Sequence, residues 1–251
     1  MNRTLKLLVS VRTPAEALIA ATGGADFIDL KEPGAGALGG LADAEIRAIV
    51  TALRDAGQRL PISATVGDWA MADRAAILDR VAAVAACGVD IVKVGILAEP
   101  GAEQLLVALG ACGATVVPVF IADQPLDAGL VALALRQPFP GVMADTAEKL
   151  GGSLLARRSA AALQAFVQQV RHAGREVGLA GALRLADLPS LLALAPDFAG
   201  FRSAVCDGDR ASALSEPRLQ QLVAAVRAAE RALPSTAVTA VAAATAVTAT
   251  V

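Results

Sequence analysis

FIDLKEPGAGALGG, residues 27–40, ends a short apolar run on Asp29, Lys31 and Glu32 and then continues into a glycine-rich loop. The run FIDL has the length of a strand, and the Pro and Gly that follow it favour a turn. Charged residues are rare in buried strands unless they are paired or functional. The stretch therefore predicts a buried strand whose carboxyl end carries a functional site.

Seven other short apolar runs follow the same plan. They lie at residues 6–10, 61–66, 90–95, 115–120, 141–146, 177–181 and 198–202, and helical periodicity marks the segments between them, such as 74–88 and 159–174. Continuous apolar runs with long crossovers are typical of parallel strands covered on both faces. Eight strand–helix units of this length predict an α/β fold of the (β/α)8 type, a TIM barrel. A doubly wound open sheet shows the same alternation and is the alternative.

No long linker divides the chain, so we expect one catalytic barrel domain over residues 1–233. The remainder, 234–251, consists mainly of Ala, Thr and Val. This low-complexity composition favours a disordered tail, and the tail is too short to span a membrane.

The composition argues against several classes of function. A net charge of −2 and an aromatic content of 3 % do not favour a nucleic-acid partner. Cys87, Cys112 and Cys206 lack the spacing of a zinc site or a disulfide framework. The first residues run directly into a predicted strand, so we expect a cytoplasmic protein without a secretory leader or a membrane partner. We further expect a homo-oligomer.

Side chains alternate between the two faces of a strand, which predicts where the charges point. Asp29 and Lys31 share one side of the second strand, while Lys93 and Asp145 lie near the ends of the fourth and sixth strands. Inward residues of alternate strands meet in one layer of a closed barrel, so these four should converge. Lys149 follows the sixth strand and could reach over the same mouth. A structural salt bridge inside the barrel is the other interpretation of any one such pair.

The residue types indicate carbonyl chemistry. A lysine in a dry pocket crowded by other ammonium groups is favoured in its neutral form, which attacks carbonyl carbons. Neighbouring carboxylates can transfer the protons that forming and breaking a Schiff base requires. The pattern therefore predicts a lysine-dependent enzyme of the aldolase kind. His172, the only histidine, lies in a helical stretch and is interpreted as a surface or helix-end residue.

The loops after the seventh and eighth strands are the usual phosphate site of such barrels. Gly181 follows the seventh strand and Arg202 the eighth, where Arg202 could pair bidentately with a phosphate. An ordinary strand-to-helix turn is the other interpretation of Gly181.

Several motifs together resemble one known family. ADFIDLKEPGAGALGG, ISATVGD, DIVKVG, ADTAEK, LAGAL and GFRSAVCDGDR occur in the order seen in the (5-formylfuran-3-yl)methyl phosphate synthases, also called 4-(hydroxymethyl)-2-furancarboxaldehyde-phosphate synthases. The resemblance covers about residues 6–230. It implies a TIM-barrel lyase that condenses two molecules of glyceraldehyde 3-phosphate with loss of phosphate and two waters, and that uses no metal and no organic cofactor. The product is a precursor of methanofuran-type cofactors in one-carbon metabolism.

The resemblance also implies roles for individual residues. Lys31 matches the family's Schiff-base lysine and Lys93 its proton-accepting lysine. Asp29, Asp145 and Lys149 match the remaining charged positions of the catalytic site.

Two positions of the predicted phosphate loops, which comprise Gly181, Ala182, Arg202 and Ser203, depart from the family pattern. Ala182 stands where archaeal relatives resemble Gly-Ser, and Ser203 stands where a glycine is common. Two other functions stay open from the residues alone. One is another Schiff-base aldolase or isomerase of triose phosphates, and the other is a non-catalytic barrel that binds a phosphate ligand.

Overall fold

Eight parallel strands close into one barrel in chain order. The structure is a computed structural model that describes residues 4–36, 38–148 and 151–232. The strands are β1 (Lys6–Val11), β2 (Phe27–Leu30), β3 (Ile62–Thr65), β4 (Ile91–Ile96), β5 (Val116–Ile121), β6 (Gly141–Asp145), β7 (Glu176–Leu179) and β8 (Phe198–Phe201). Because β1 pairs with β8 as well as with β2, the barrel is closed. The predicted TIM barrel is confirmed, and the open sheet is excluded.

Helices follow the strands and form the outer layer of the barrel. They are α1 (Pro14–Thr22), α2 (Asp43–Asp55), α3 (Arg74–Ala85), α4 (Ala102–Ala111), α5 (Ala128–Leu135), α6 (Leu154–Arg157), α7 (Ala160–His172), α8 (Leu188–Leu194) and α9 (Glu216–Ala232). Several helix starts are set by side-chain caps. Thr13 accepts a hydrogen bond from the Glu16 backbone at 3.2 Å, and Ser159 accepts one from Ala162 at 3.2 Å. No helix of the described residues is both long enough and apolar enough to cross a membrane.

The apolar core has two layers. One lies between the strands and the helices, and the other fills the interior of the barrel. The outward strand residues, which pack against the helices, include Ile28, Leu30, Val92, Val94, Val142 and Ala144. The inner layer consists of Leu8, Leu38, Val117, Val119, Met143, Ala180 and Phe198. Side chains alternate between the two faces of each strand, as the sequence predicts. The polar residues on the inner face lie at the carboxyl end of the barrel.

Some predictions fall outside what this structure describes. The predicted tail, 234–251, and Lys149 lie outside the described residues, and the domain boundary at residue 233 stays a prediction. The expected homo-oligomer concerns more than one copy of the chain and also stays a prediction.

A glycine inside the barrel offers a test of the inner layer. A methyl group added at Gly178 would lie 2.2 Å from the Phe198 ring, whereas one added at Gly110 in α4 meets the movable end of Gln137. We expect Gly178→Ala to lower the free energy of unfolding by about 1–3 kcal/mol through overpacking. Gly110→Ala is the control and should stay within about 1 kcal/mol of the wild type. Urea unfolding measures both, and equal stabilities would contradict this packing.

Candidate active site

Four charged side chains from three strands meet at the carboxyl end of the barrel. Asp29, Lys31, Lys93 and Asp145 are all buried, and all line the same cavity. The placement agrees with the alternation of the strands: Asp29 lies in β2, Lys31 follows β2 directly, and Lys93 and Asp145 lie in β4 and β6. The structure thus brings together four of the five charged residues predicted for the site, the fifth being Lys149.

Asp29 is the centre of this cluster and is fully buried. Its carboxylate accepts hydrogen bonds from Lys93 Nζ at 2.7 Å, Ser63 Oγ at 2.7 Å and Ser10 Oγ at 2.9 Å. Burial alone would raise the pKa of Asp29, but the charges of Lys93 and Lys31 and the hydrogen bonds from Lys93 and Ser63 outweigh it, so the pKa lies below its ordinary value. Asp29 is therefore a carboxylate that holds an ammonium group beside it.

Sequence reasoning missed Ser10 and Ser63, although a signal was present. Both are hydroxyl residues in otherwise apolar strands, and both are the register partners of Asp29 on the neighbouring strands β1 and β3. An inward carboxylate needs hydrogen-bond donors, and adjacent strands are the nearest source of them.

The two lysines have different surroundings. Lys93 is hydrogen-bonded to Asp29, whereas Lys31 Nζ lies 3.9 Å from Asp145 Oδ2, beyond hydrogen-bonding distance of that oxygen. Asp145 also accepts a hydrogen bond from the Thr146 backbone at 2.7 Å, which fixes its orientation. This arrangement suits Lys93 to hold and transfer a proton. It suits Lys31 to react as a nucleophile beside a carboxylate.

Backbone N–H groups line the part of the rim where phosphate was predicted to bind. Gly181 and Ala182 line the cavity with successive positive φ angles of 115° and 47°. A left-handed conformation is uncommon for alanine, so the chain makes an unusual turn at this part of the rim. The N–H groups of Gly181, Ala182 and Ser203 make no hydrogen bond with other described residues. They are available to an anion in the cavity.

Arg202 does not have the role that the sequence predicted. Its guanidinium group makes two bonds to the Glu16 carboxylate, at 2.6 and 3.1 Å. Its remaining donors reach backbone oxygens of Ser10, Arg210 and Ser212 at 3.1, 2.9 and 2.7 Å. All five N–H groups are thus used within the protein. The prediction that Arg202 pairs directly with a phosphate does not fit the structure, because this arginine fastens the loop after β8 to helix α1.

Glu16, the partner of Arg202, was not predicted. Burial tends to raise its pKa, but the hydrogen bond and charge of Arg202 outweigh that effect and lower the pKa overall. His172 is exposed at the end of α7, as predicted. Groups of three or more His, Cys, Asp or Glu side chains that could hold a metal ion are absent from the described ranges.

Comparisons with known proteins agree on one family. The family model described as 4-HFC-P synthase matches residues 7–223. The chain is 41 % identical over 228 residues to a Methylorubrum extorquens protein named "Putative (5-formylfuran-3-yl)methyl phosphate synthase", covering 90 % of this chain and 94 % of that one. It is 34 % identical over 238 residues to the (5-formylfuran-3-yl)methyl phosphate synthase of Archaeoglobus fulgidus, with coverages of 88 % and 99 %.

Solved structures show the same fold at lower identity. Phosphoribosyl anthranilate isomerase from Thermus thermophilus superposes with a TM-score of 0.63 at 19 % identity, over 90 % of this chain and all of that one. This likeness concerns the barrel alone.

The Glu16–Arg202 pair gives a prediction about stability. Glu16→Ala leaves a buried guanidinium without its carboxylate, and we expect the free energy of unfolding to fall by about 3–5 kcal/mol. The control is Asp207→Ala, which removes an ion pair with Arg218 whose side chains are 66 % and 53 % exposed. Such exposed pairs contribute about 0–1 kcal/mol. Urea unfolding measures both variants. If the free energy of unfolding of Glu16→Ala falls only slightly, the buried guanidinium group of Arg202 does not need Glu16 as its partner.

The lowered pKa of Asp29 predicts how stability depends on pH. A carboxyl group with a lowered pKa in the folded state stabilises the protein above its unfolded pKa of ~3.9, and this contribution is lost as the pH falls through the folded value. Asp29→Asn should therefore be least stable relative to wild type near neutral pH. We expect the difference in unfolding free energy to shrink below about pH 4. A difference that is constant from pH 7 to pH 3 would contradict the assignment of a buried carboxylate.

Proposed function

The chain belongs to the 4-HFC-P synthase family, and on that premise we propose that it forms (5-formylfuran-3-yl)methyl phosphate from two molecules of glyceraldehyde 3-phosphate through a Schiff base on Lys31. The observation that carries this proposal is the buried set of two lysines and two aspartates at the barrel mouth. Two trioses supply the six carbons of the product. Loss of one phosphate and two waters balances the remaining atoms, and no oxidant or reductant is required.

The carbon skeleton of the product determines which atoms must join. One glyceraldehyde 3-phosphate first isomerises to its ketone form, dihydroxyacetone phosphate: a proton moves from the central carbon to the aldehyde carbon, and another from the central hydroxyl to the aldehyde oxygen. The ring carbon that carries the phosphomethyl group corresponds to the central carbon of this ketone. Its new bond runs to the terminal carbon of the second triose, the carbon that loses phosphate. The central carbon must therefore be the electrophile. An imine with Lys31 makes it one, because a protonated imine accepts an electron pair more readily than a ketone does.

Lys93 can serve as the proton donor and then as the proton acceptor. When the imine forms, its ammonium group gives a proton to the departing hydroxyl, which leaves as the first water. The neutral amine then removes the proton next to the aldehyde of the second triose. The C–H electron pair forms a double bond, and the C–O pair leaves with the phosphate. Asp29, 2.7 Å from Lys93 Nζ, stabilises the ammonium group that this step restores.

The resulting enol attacks the imine carbon through its terminal carbon. The hydroxymethyl oxygen of the first triose then adds to the carbonyl next to the aldehyde, which closes the five-membered ring. The second water leaves with a proton from the carbon that carried the lost phosphate, which forms one ring double bond. Expulsion of Lys31 as an amine, with loss of a proton from the former hydroxymethyl carbon, forms the other and gives the aromatic furan. Asp145, 3.9 Å from Lys31 Nζ, is placed to exchange protons with that nitrogen during imine formation and release.

Replacement of the lysines tests these roles. With glyceraldehyde 3-phosphate as the sole substrate, we expect Lys31→Ala to lower the rate of furan formation by about 10⁴-fold or more, and Lys93→Met by about 10²–10⁴-fold. The absorbance of the furan aldehyde in the near ultraviolet measures the product. The control is Lys6→Ala, which changes an exposed lysine paired with Glu176 at the start of β1 and should keep full activity.

Trapping with borohydride tests the nucleophile itself. Wild type and Lys93→Met should retain a reduced triose adduct in the mass spectrum, and Lys31→Ala should not. An undiminished adduct in Lys31→Ala would rule out Lys31. A wild-type protein that traps substrate but forms only an aldol product without the furan absorbance would be a different Schiff-base aldolase.

A further inference from the structure

Arg210 carries a second guanidinium group at the mouth of the cavity, besides that of Arg202, and the reaction steps above do not use it. It follows the turn after β8 and lines the same cavity as Lys31, Lys93 and Asp145. Sequence reasoning passed over it, although it ends the motif GFRSAVCDGDR that the chain shares with its family.

The guanidinium group of Arg210 keeps hydrogen-bonding capacity toward the cavity. Its Nη2 donates to the Gly36 backbone oxygen at 3.2 Å, and no hydrogen bond to another described residue uses Nε or Nη1. Arg202, the other guanidinium that lines this cavity, has all its donors occupied. Among the described residues, Arg210 is thus the arginine of this mouth that can receive a ligand.

The loop around Arg210 is held in place from several sides. Arg202 Nε binds the Arg210 backbone oxygen at 2.9 Å, and Asp209 Oδ1 accepts from the backbone of Ala211 at 2.8 Å and of Ser212 at 3.0 Å. Because Arg202 is itself anchored by Glu16, the position of Arg210 is set by buried contacts that reach helix α1. The backbone that carries Arg210 is therefore preorganised, which lowers the entropic cost of binding a ligand.

The substrates require more than one anion site. The reaction joins two molecules that each carry a phosphate, whereas Gly181, Ala182 and Ser203, the residues of the backbone site, all follow β7 or β8 and line the cavity there. Arg210 instead reaches toward Gly36, in the loop after β2. A guanidinium group matches the geometry of a phosphate monoester and binds it through two parallel hydrogen bonds.

We propose that Arg210 is the side-chain receptor for a substrate phosphate, separate from the backbone site of Gly181, Ala182 and Ser203. That this phosphate belongs to a triose rests on the proposed function. That Arg210 binds a phosphate group does not. The surroundings support it: burial lowers the pKa of Arg210, and the charge of Asp145 opposes that effect. Partial removal from water strengthens the attraction between a guanidinium group and a phosphate.

Direct binding of inorganic phosphate, measured by isothermal titration calorimetry on the full chain, tests the receptor without any turnover. We expect Arg210→Gln to weaken phosphate binding about 10-fold or more, the effect of losing charge-assisted hydrogen bonds. Arg210→Lys keeps the positive charge but lacks the paired N–H donors of a guanidinium group. Its phosphate affinity should therefore lie between those of the wild type and Arg210→Gln. The matched control is Arg218→Gln, which removes an exposed arginine of helix α9 and should leave binding unchanged.

Steady-state kinetics provides the second readout. Arg210→Gln should raise KM for glyceraldehyde 3-phosphate by about 10-fold or more, with a much smaller change in kcat, because the residue contacts the phosphate and not the reacting carbons. Thermal unfolding separates this role from a structural one, since loss of the single bond to Gly36 should barely shift Tm.

The outcomes distinguish this proposal from the proposed function. Unchanged phosphate affinity in Arg210→Gln, or no phosphate binding by the wild type, overturns the receptor. A wild-type protein that binds phosphate through Arg210 but forms no furan overturns the proposed function and leaves the receptor established.

Discussion

The ion pair between Asp29 and Lys93 is the interaction on which the rest of the site depends. Both side chains are buried inside the barrel, and removing two charges from water costs several kcal/mol for each ion. The hydrogen bonds from Ser10 and Ser63 offset part of this cost by satisfying the carboxylate. A packed apolar interior would be as stable or more stable, so the fold retains a costly arrangement at the place where alternate strands converge. This is the expected signature of a catalytic centre.

The two lysines have different tasks in the proposed reaction, and their surroundings in the barrel differ as well. One amine is hydrogen-bonded to a carboxylate that three strands hold, while the other lies near Asp145 at the end of the sixth strand. The first arrangement favours repeated proton transfer with little reorganisation. In the second arrangement, the proposed nucleophile Lys31 has a carboxylate beside it that can exchange protons with its nitrogen. A single lysine could not provide both an imine and a proton carrier in the same step.

The loop after β8 connects the mouth of the cavity to helix α1. Glu16, in the first turn of α1, holds Arg202, and Arg202 holds the backbone of Arg210. The first helix and the last strand are thus joined by a buried charge pair that supports the mouth of the cavity.

The barrel and the inward charges could be predicted from the sequence, because both follow from local patterns. Apolar runs with long crossovers mark the strands, and alternation along β2, β4 and β6 directs Asp29, Lys93 and Asp145 inward. The role of Arg202 could not be predicted, because its partner Glu16 is 186 residues away and resembles an ordinary first-turn carboxylate.

Other parts of the site depend on register and loop shape. Ser10 and Ser63 became part of the site through strand pairing, which the sequence pattern does not specify in detail. Arg210 depends on the fold of a loop, and loop conformation follows from tertiary contacts more than from composition.

A crystal structure of the protein reduced with borohydride in the presence of dihydroxyacetone phosphate tests the central claim most directly. The account predicts continuous density from Lys31 Nζ to the central carbon of the triose, with Lys93 still hydrogen-bonded to Asp29. Density joined to Lys93 instead, or an adduct that separates Lys93 from Asp29, would contradict it.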